Sequence, residues 1–149
     1  MRTQKKVGST TYNYYYSDGL LVRQTWGSNY IDFLYDESGL PYSFIYNGTQ
    51  YYYIKNLQND VVAIANEDGD IVVEYEYDAW GYGYAYGSKA STIGEINPIR
   101  YRSYYYDTDT GFYYLQSRYY DPIIKRFINA DGYLNANGDI LGFNMYAMV

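Results

Sequence analysis

The residues whose spacing comes nearest to a reactive or binding site are two acids, Asp107 and Asp109. They hold the first and third positions of a loop that resembles the calcium-binding loop of EF-hand proteins. That loop needs glycine at its sixth position and a bidentate glutamate at its twelfth. Here Gly111 is the fifth residue and Arg118 the twelfth. A tight hairpin turn is therefore the better interpretation, and we predict no metal site.

Other catalytic chemistry has few candidates. The chain has no His and no Cys, which removes the usual general base, the commonest metal ligand and any disulfide. No two carboxylates are marked out as a catalytic pair, and the Gly-Tyr-rich stretch at residues 81–87 matches no phosphate-binding fingerprint. Asn47-Gly48-Thr49 matches a glycosylation sequon, which occurs often by chance. We predict no catalytic residues, no cofactor-binding residues and no cofactor.

The elements that would position any site are set by a repeated Tyr-Asp…Gly phrase. It occurs at residues 35–39, 77–81 and 106–111, with a degenerate copy at 16–19, on a background of 26 Tyr in 149 residues. An aromatic strand ends, an Asp side chain bonds back to the turn backbone, and Gly supplies a positive φ. The repetition predicts an all-β protein of consecutive antiparallel β-hairpins in a curved sheet, with a short irregular or helical-turn C-terminal segment.

Alternation within the strands sharpens this prediction. The clearest hairpin has arms at residues 61–65 and 71–77 around a loop at 66–70, and the odd-numbered residues of its second arm share one face. Tyrosine triplets at 14–16, 51–53 and 104–106 place aromatic rings on both faces of a strand. Such a strand fits a sheet whose second face lines a lumen or meets another layer, and it equally fits a solvent-tolerant ladder.

Helix is expected to be scarce. We predict none longer than about three turns and none of twelve residues or more in the first 115 positions. Residues 80–97 are rich in Gly, Ser and Ala and indicate a loop. Asp121-Pro122 is an N-cap and N1 pair that opens a short turn through Arg126, and residues 144–149 could form another.

Charge and hydropathy exclude two classes of partner. The net charge of −6 argues against a general nucleic-acid binder. No apolar run approaches the length of a membrane span, and no apolar region follows the basic residues near Met1, so we expect neither a membrane span nor a secretory signal within this sequence.

Three stretches together resemble the RHS (YD-repeat) associated core domain of bacteria. They are residues 51–64, 73–81 and 96–131, in which the most specific motifs are Gly111-Phe112-Tyr113-Tyr114-Leu115-Gln116-Ser117-Arg118-Tyr119-Tyr120-Asp121-Pro122 and Arg126-Phe127-Ile128-Asn129-Ala130-Asp131. The resemblance implies that residues 51–149 form the RHS-associated core domain and residues 1–50 looser YD-repeat hairpins. In this family the repeats wind into a hollow β-shell that encloses a C-terminal toxin, and the core domain closes one end of it.

Many members of the family also cut themselves with an aspartate-dependent motif of two Asp-Pro-x-Gly phrases. In this sequence the first phrase reads Asp131-Gly132-Tyr133 without the proline, and the second would lie beyond Val149. Arg118 and Asp121 match family positions too, where an ion pair or a cap is the expected role. We therefore expect no self-cleavage and no other catalysis, so the chain is predicted not to be an enzyme.

The leading functional prediction is a structural segment of a secreted or surface-associated RHS protein. Its expected partners are the neighbouring YD-repeat shell and the toxin cargo of a parent protein, or further copies of the chain through exposed strand edges. One alternative is a tyrosine-rich module that binds a glycan or a protein, and a second is the remnant of an aspartyl autoprotease.

Overall fold

A computed structural model describes residues 2–115 and 118–129. Within these residues thirteen strands form two antiparallel sheets, and consecutive strands pair in sequence order. The larger sheet contains β1 (Gln4–Val7), β2 (Thr10–Ser17), β3 (Leu20–Trp26), β4 (Asn29–Tyr35), β5 (Pro41–Tyr46), β6 (Thr49–Lys55), β7 (Val61–Ala65), β8 (Ile71–Tyr77) and β9 (Gly83–Tyr86). The smaller sheet contains β10 (Tyr105–Asp107), β11 (Phe112–Leu115), β12 (Arg118–Asp121) and β13 (Arg126–Asn129). The all-β hairpin fold is therefore confirmed.

Helical structure is short throughout the described part of the chain. The α-helix α1 (Ile93–Ile96) has four residues and the 3-10 turn Tyr101–Ser103 has three. Both lie in the connection between the two sheets. The prediction that the first 115 residues contain no long helix is confirmed for the residues that the structure describes.

Two kinds of turn recur between the strands. In the first kind a side-chain oxygen at the first of five residues accepts hydrogen bonds from the amides two and four positions later. The turn at 36–40 is an example, because Asp36 Oδ1 lies 2.8 Å from the Ser38 nitrogen and 3.0 Å from the Leu40 nitrogen. Turns 56–60, 66–70 and 78–82 repeat this pattern. The predicted bond from an Asp side chain to the turn backbone is therefore present in the phrases at 35–39 and 77–81, whereas in the phrase at 106–111 the Asp107 carboxylate bonds to Arg2 and Lys5 instead.

The second kind has two central residues with positive φ, as in Asp18-Gly19 (53° and 81°) and Asn47-Gly48 (48° and 91°). This geometry follows the right-handed twist of the flanking strands. The Asn47 side chain also accepts a hydrogen bond from the Tyr30 amide at 2.9 Å. Asn47 is therefore a turn residue whose side chain is already engaged.

The predicted hairpin at residues 61–77 is confirmed with the expected arms and loop. Two residues depart from the simple alternation, since Ile71 is exposed and Val72 is buried. Ile64 pairs with Val73 and Ala65 pairs with Ile71, so Val72 is an extra residue at a β-bulge. The bulge turns the Val72 side chain inward.

One face of the larger sheet carries the core. Its central members are Ile31, Phe33, Phe44, Tyr51, Tyr53, Ile64, Val73 and Tyr75, and they cluster with Ile93 and Ile99 from the connection. The connection thus forms a second layer over this face. In the triplet at 51–53, Tyr51 and Tyr53 are buried while Tyr52 is 38% exposed. The inward tyrosines meet a second layer, as the first interpretation of the triplets predicts. The outward tyrosines face solvent, as the second interpretation predicts.

The prediction that residues 80–97 form a loop is wrong in part, because β9 and α1 lie within them. The glycines there permit close packing of backbone. A Cβ on Gly83 would lie 2.7 Å from the Glu76 carbonyl oxygen, and one on Gly94 would lie 3.2 Å from a methyl of Val73. Small residues were interpreted as loop signals, whereas here they allow a strand and a helix to lie against β8.

Candidate interaction site

Because hairpins alternate direction, four turns lie at the same end of the larger sheet, which we call the turn end: residues 18–19, 36–40, 56–60 and 78–82. The turn at 78–82 is covered by the smaller sheet. Tyr113 Oη donates a hydrogen bond to the Gly81 carbonyl at 2.8 Å, and Tyr120 Oη donates to the Trp80 carbonyl at 2.7 Å. Two phenols from neighbouring strands therefore hold one turn.

The turn at 56–60 is covered by the 3-10 turn. The Arg102 amide donates to Asp60 Oδ1 at 2.8 Å, and Ser103 Oγ donates to the Asn59 carbonyl at 2.8 Å. Arg102 and Ser103 have φ of 53° and 63°, a left-handed region that costs a non-glycine residue about 1 to 2 kcal/mol. The hydrogen bonds to the turn hold these two residues in that conformation.

Asn97 fastens the connection to the core face. Its side chain is fully buried, and its Oδ1 accepts a hydrogen bond from Tyr53 Oη at 2.6 Å. Its Nδ2 donates to the Ile99 carbonyl at 2.8 Å and to Tyr75 Oη at 3.2 Å. Burial raises the pKa of the Tyr53 phenol well above its ordinary value, so the phenol stays protonated and remains a donor. The network supplies the partners that buried polar groups require.

An ionic cluster joins the start of the chain to the smaller sheet. Asp107 is buried and pairs with Arg2 at 3.0 Å and with Lys5 at 2.6 Å, and Lys5 also lies 2.7 Å from Asp109. The Arg2 guanidinium lies 4.8 Å from the ring centre of Tyr14. Burial by itself would lower the pKa of Lys5, but its hydrogen bonds to the two carboxylates outweigh this and raise it.

The turn that was compared with a calcium-binding loop contains the same two carboxylates. Residues 107–111 form the turn between β10 and β11, in which the Gly111 amide donates to the Asp107 carbonyl at 2.8 Å. Arg2 and Lys5 both pair with the Asp107 carboxylate, and the segment is a hairpin turn. Within the described ranges no group of three His, Cys, Asp or Glu is arranged to hold a metal ion.

A cavity of about 490 Å³ lies beside the covered turns. Its walls come from the open part of the turn end, from the connection and from the smaller sheet, and they consist of Arg2, Tyr14, Tyr16, Gly19, Leu20, Leu21, Tyr35, Gly39, Leu40, Pro41, Ile99, Arg102, Ser103, Tyr104, Tyr105 and Tyr114. None of these residues is acidic. Among the described residues, Arg2 Nε and Tyr14 Oη are buried and make no hydrogen bond.

The remaining predicted positions divide between described and undescribed residues. Asp121 begins the β12–β13 turn, where its Oδ1 accepts a hydrogen bond from the Ile123 amide at 2.9 Å. The predicted short turn is therefore present, and it joins two strands. Arg118 begins β12, but its side chain lies outside the described part of the structure. Asp131 and the predicted turn at 144–149 also lie outside the described residues, so the self-cleavage expectation stays untested.

Sequence reasoning missed Arg2, Asp60 and Asn97 as organising residues. Arg2 belongs to a short basic stretch that was considered only as a targeting signal. Asp60 and Asn97 are ordinary turn and loop residues by local pattern. Their partners Asp107, Arg102 and Tyr53 lie 42 to 105 positions away along the chain, and no local signal in the sequence indicates these pairings.

Comparison with known proteins relates the chain to bacterial nuclease and deaminase toxins. The tRNA3(Ser)-specific nuclease WapA of Bacillus spizizenii is 37% identical over 150 residues, which is 98% of this chain and 6% of that protein. Double-stranded DNA deaminase toxin A of Burkholderia cenocepacia is 34% identical over 83 residues, which is 56% of this chain and 6% of that protein. The chain thus spans about 6% of the length of these curated relatives.

Among solved structures, TcdB2-TccC3 without its hypervariable C-terminal region has a similar fold. The TM-score is 0.65 at 20% identity, over 98% of this chain and 7% of that chain. No family model matches the sequence. None of the helices that the structure describes has the length and apolar character needed to cross a bilayer.

The prediction that the chain is not an enzyme is wrong in the light of these relatives. They are named as a tRNA nuclease and a DNA deaminase toxin. The prediction was based on residue types within a stretch that corresponds to a small fraction of either relative. Those residue types say nothing about the catalytic groups that the rest of such a protein contains.

Proposed function

We propose that this chain is a wall segment of an RHS-type β-shell in a bacterial protein that carries an enzymatic toxin. The observation that supports this most directly is that a tRNA nuclease resembles nearly all of this chain and a DNA deaminase toxin resembles 56% of it. A stretch shared by proteins with different named chemistries supplies something that both need. The sequential hairpins and the aromatic core face are what it offers, and both are architectural.

The fold comparison supports the same assignment. Almost the whole chain aligns with a TcdB2-TccC3 structure from which the hypervariable C-terminal region is missing. The aligned part of that structure therefore lies outside the hypervariable region. By analogy, we assign this chain to the constant part of its parent protein, with residues 1–50 as YD-repeat hairpins and residues 51–149 as the core domain.

The shell assignment carries partners and a location with it. Neighbouring repeats would pair with β1, which among the described strands pairs with β2 alone, and the toxin cargo is the second partner. An isolated chain is expected to self-associate through the same edge. We place the parent protein outside the cell or at the cell surface.

A chimaera tests the assignment. The stretch of B. spizizenii WapA that aligns with this chain is replaced by residues 1–149, and the purified chimaera is compared with the parental WapA. We expect the same protease-resistant core and tRNA cleavage within about threefold of the parental rate. A matched control carries the same chimaera with Asn97→Asp, which places a charge in the buried network and should lose the resistant core.

Two results would overturn the proposal. In the first, the chimaera folds and stays protease-resistant but has lost tRNA cleavage, so the replaced stretch supplies catalytic or substrate-binding groups. In the second, the chimaera is digested as readily as the Asn97→Asp control. This chain would then be unable to replace the corresponding part of the shell.

A glycan- or protein-binding surface is the second candidate. The observation in its favour is the exposure of five tyrosines on the larger sheet: Tyr15, Tyr42, Tyr52, Tyr84 and Tyr86. Exposed aromatic rings can stack on sugar rings or anchor a protein interface. A glycan array probed with the chain separates this candidate from the shell assignment, since a wall segment would bind no glycan selectively.

A further inference from the structure

The turn end of the larger sheet is covered over half its width. Residues 101–103, 113 and 120 donate hydrogen bonds to turns 56–60 and 78–82. Turns 18–19 and 36–40 lie at the same end, but the carbonyls of Glu37, Ser38 and Gly39 accept no hydrogen bond from any residue that the structure describes. The cavity lies at these two open turns, because Gly19, Leu20, Gly39, Leu40 and Pro41 line it.

What covers the other two turns is polypeptide. Phenols, a hydroxyl and a backbone amide reach the turn carbonyls and the Asp60 carboxylate. The cavity adjoins this cover directly, since Arg102 and Ser103 belong to both. A second peptide segment placed beside them would extend the existing cover over turns of related geometry.

The cavity walls define the side chains that such a segment needs. Leu21, Leu40, Pro41 and Ile99 offer aliphatic surface, and six tyrosines add aromatic surface. The volume of about 490 Å³ suits a small number of side chains. Bulky apolar groups would therefore fill most of the space.

One cation on the cavity wall has no carboxylate partner among the residues that the structure describes. The lining contains two arginines and no acid, but Arg2 already pairs with Asp107 at 3.0 Å, so the uncompensated positive charge is that of Arg102. Within the described residues Arg102 pairs with no carboxylate, and the buried Arg2 Nε makes no hydrogen bond. Arg102 is also held in a left-handed conformation at the cavity wall, and such strain is concentrated at functional positions in proteins.

We propose that the cavity binds a peptide segment in which an acidic residue stands beside bulky apolar residues. The carboxylate lies against Arg102 and the Nε side of Arg2, and the apolar side chains pack against Leu21, Leu40 and Ile99. Arg2 already pairs with Asp107 through another nitrogen, and an ionised acceptor would give its buried Nε the partner that it lacks. The proposal concerns this chain alone and does not depend on the shell assignment.

The test uses the full chain labelled with ¹⁵N and two blocked peptides, acetyl-Leu-Asp-Phe-Leu-amide and acetyl-Leu-Asn-Phe-Leu-amide. The peptides are nearly equal in shape and differ in one charge. We expect the Asp peptide to shift the amide signals of Leu21, Leu40 and Tyr105, and to bind at least tenfold more tightly than the Asn peptide. Higher salt should narrow that difference, because it screens an exposed arginine.

A variant pair locates the charge. Arg102→Gln should weaken binding of the Asp peptide about tenfold and leave the Asn peptide unchanged. Arg23→Gln is the matched control, because Arg23 pairs with Asp32 on the exposed face, away from the cavity. The two peptides are also compared on the unmodified chain. The proposal can therefore be tested even if Arg102→Gln fails to fold.

Several outcomes would overturn the proposal. They are equal affinity for the two peptides, no binding of the Asp peptide at millimolar concentration, shifts confined to residues outside the cavity, and equal effects of Arg102→Gln and Arg23→Gln. None of them bears on the chimaera experiment, so failure of this inference and failure of the shell assignment are distinguishable.

Discussion

Turns 36–40 and 78–82 have the same local geometry and opposite surroundings. In each, an Asp Oδ1 accepts two backbone amides, at 2.8 and 3.0 Å for Asp36 and at 2.8 and 3.1 Å for Asp78. The glycine of each has positive φ, 83° at Gly39 and 102° at Gly81. A Cβ on Gly39 would meet nothing within 4 Å, whereas one on Gly81 would lie 2.6 Å from the Tyr101 ring.

The difference separates what a turn needs from what a fold adds. The Asp–amide bonds and the positive φ are enough to reverse the chain, and they are complete in the open turn. The covered turn adds phenol donors and a ring packed on its glycine. Cover of the turn end is therefore a tertiary property, which the repeated phrase permits but does not specify.

The largest expected effect on stability comes from removing the Asn97 side chain, which holds the connection on the core face. In Asn97→Ala, Tyr53 Oη and the backbone groups of Ile99 lose buried partners, so we expect the free energy of unfolding to fall by about 3 to 4 kcal/mol. Urea unfolding of the full chain measures this. Asn13→Ala is the control, because its exposed bond to Gln4 should contribute less than about 0.5 kcal/mol. A loss below about 1 kcal/mol for Asn97→Ala would mean that the network does not hold the cover.

The paired glycines test the comparison most directly. Gly39→Ala should cost about 1 kcal/mol of unfolding free energy from backbone strain alone. Gly81→Ala adds overlap with the Tyr101 ring and should cost about 3 kcal/mol. A double-mutant cycle with Tyr101→Ala should remove most of the excess at Gly81 and none at Gly39. Equal costs for the two glycines would contradict the difference in cover.

The smallest expected effect is the loss of stability at low pH that comes from the ionic cluster between β1 and the smaller sheet. Hydrogen bonding to Asp107 and to Lys5 lowers the pKa of Asp109 to about 2, from about 3.9 in an unfolded chain. Its contribution to stability is therefore present above about pH 3.9 and is lost as the pH falls toward about 2. Between pH 5 and pH 2.5, urea midpoints should fall further in the unmodified chain than in Asp109→Asn. Thr108→Ala, an uncharged neighbour, should keep the full acid loss, and equal losses in all three would contradict the assignment.

Much of the larger sheet could be predicted from local pattern. Turn phrases, strand alternation and the 61–77 hairpin each involve residues close together in the chain, and the sequence records such interactions directly. The β-bulge at Val72 and the close packing at Gly83 could not be predicted, because each depends on the register of a neighbouring strand. Glycine and other small residues are typical both of loops and of closely packed backbone, so their presence does not distinguish the two.

What the sequence determined by itself is a chain of antiparallel hairpins with aromatic strands and Asp-stabilised turns. The tertiary structure alone decided which turns are covered, where Asn97 bonds, and that Arg2 and Lys5 meet Asp107 from more than a hundred residues away. The physical reason is the range of the interactions. Turn chemistry is completed within five residues, whereas a buried polar group or charge is satisfied by whichever partner the packed layers bring to it.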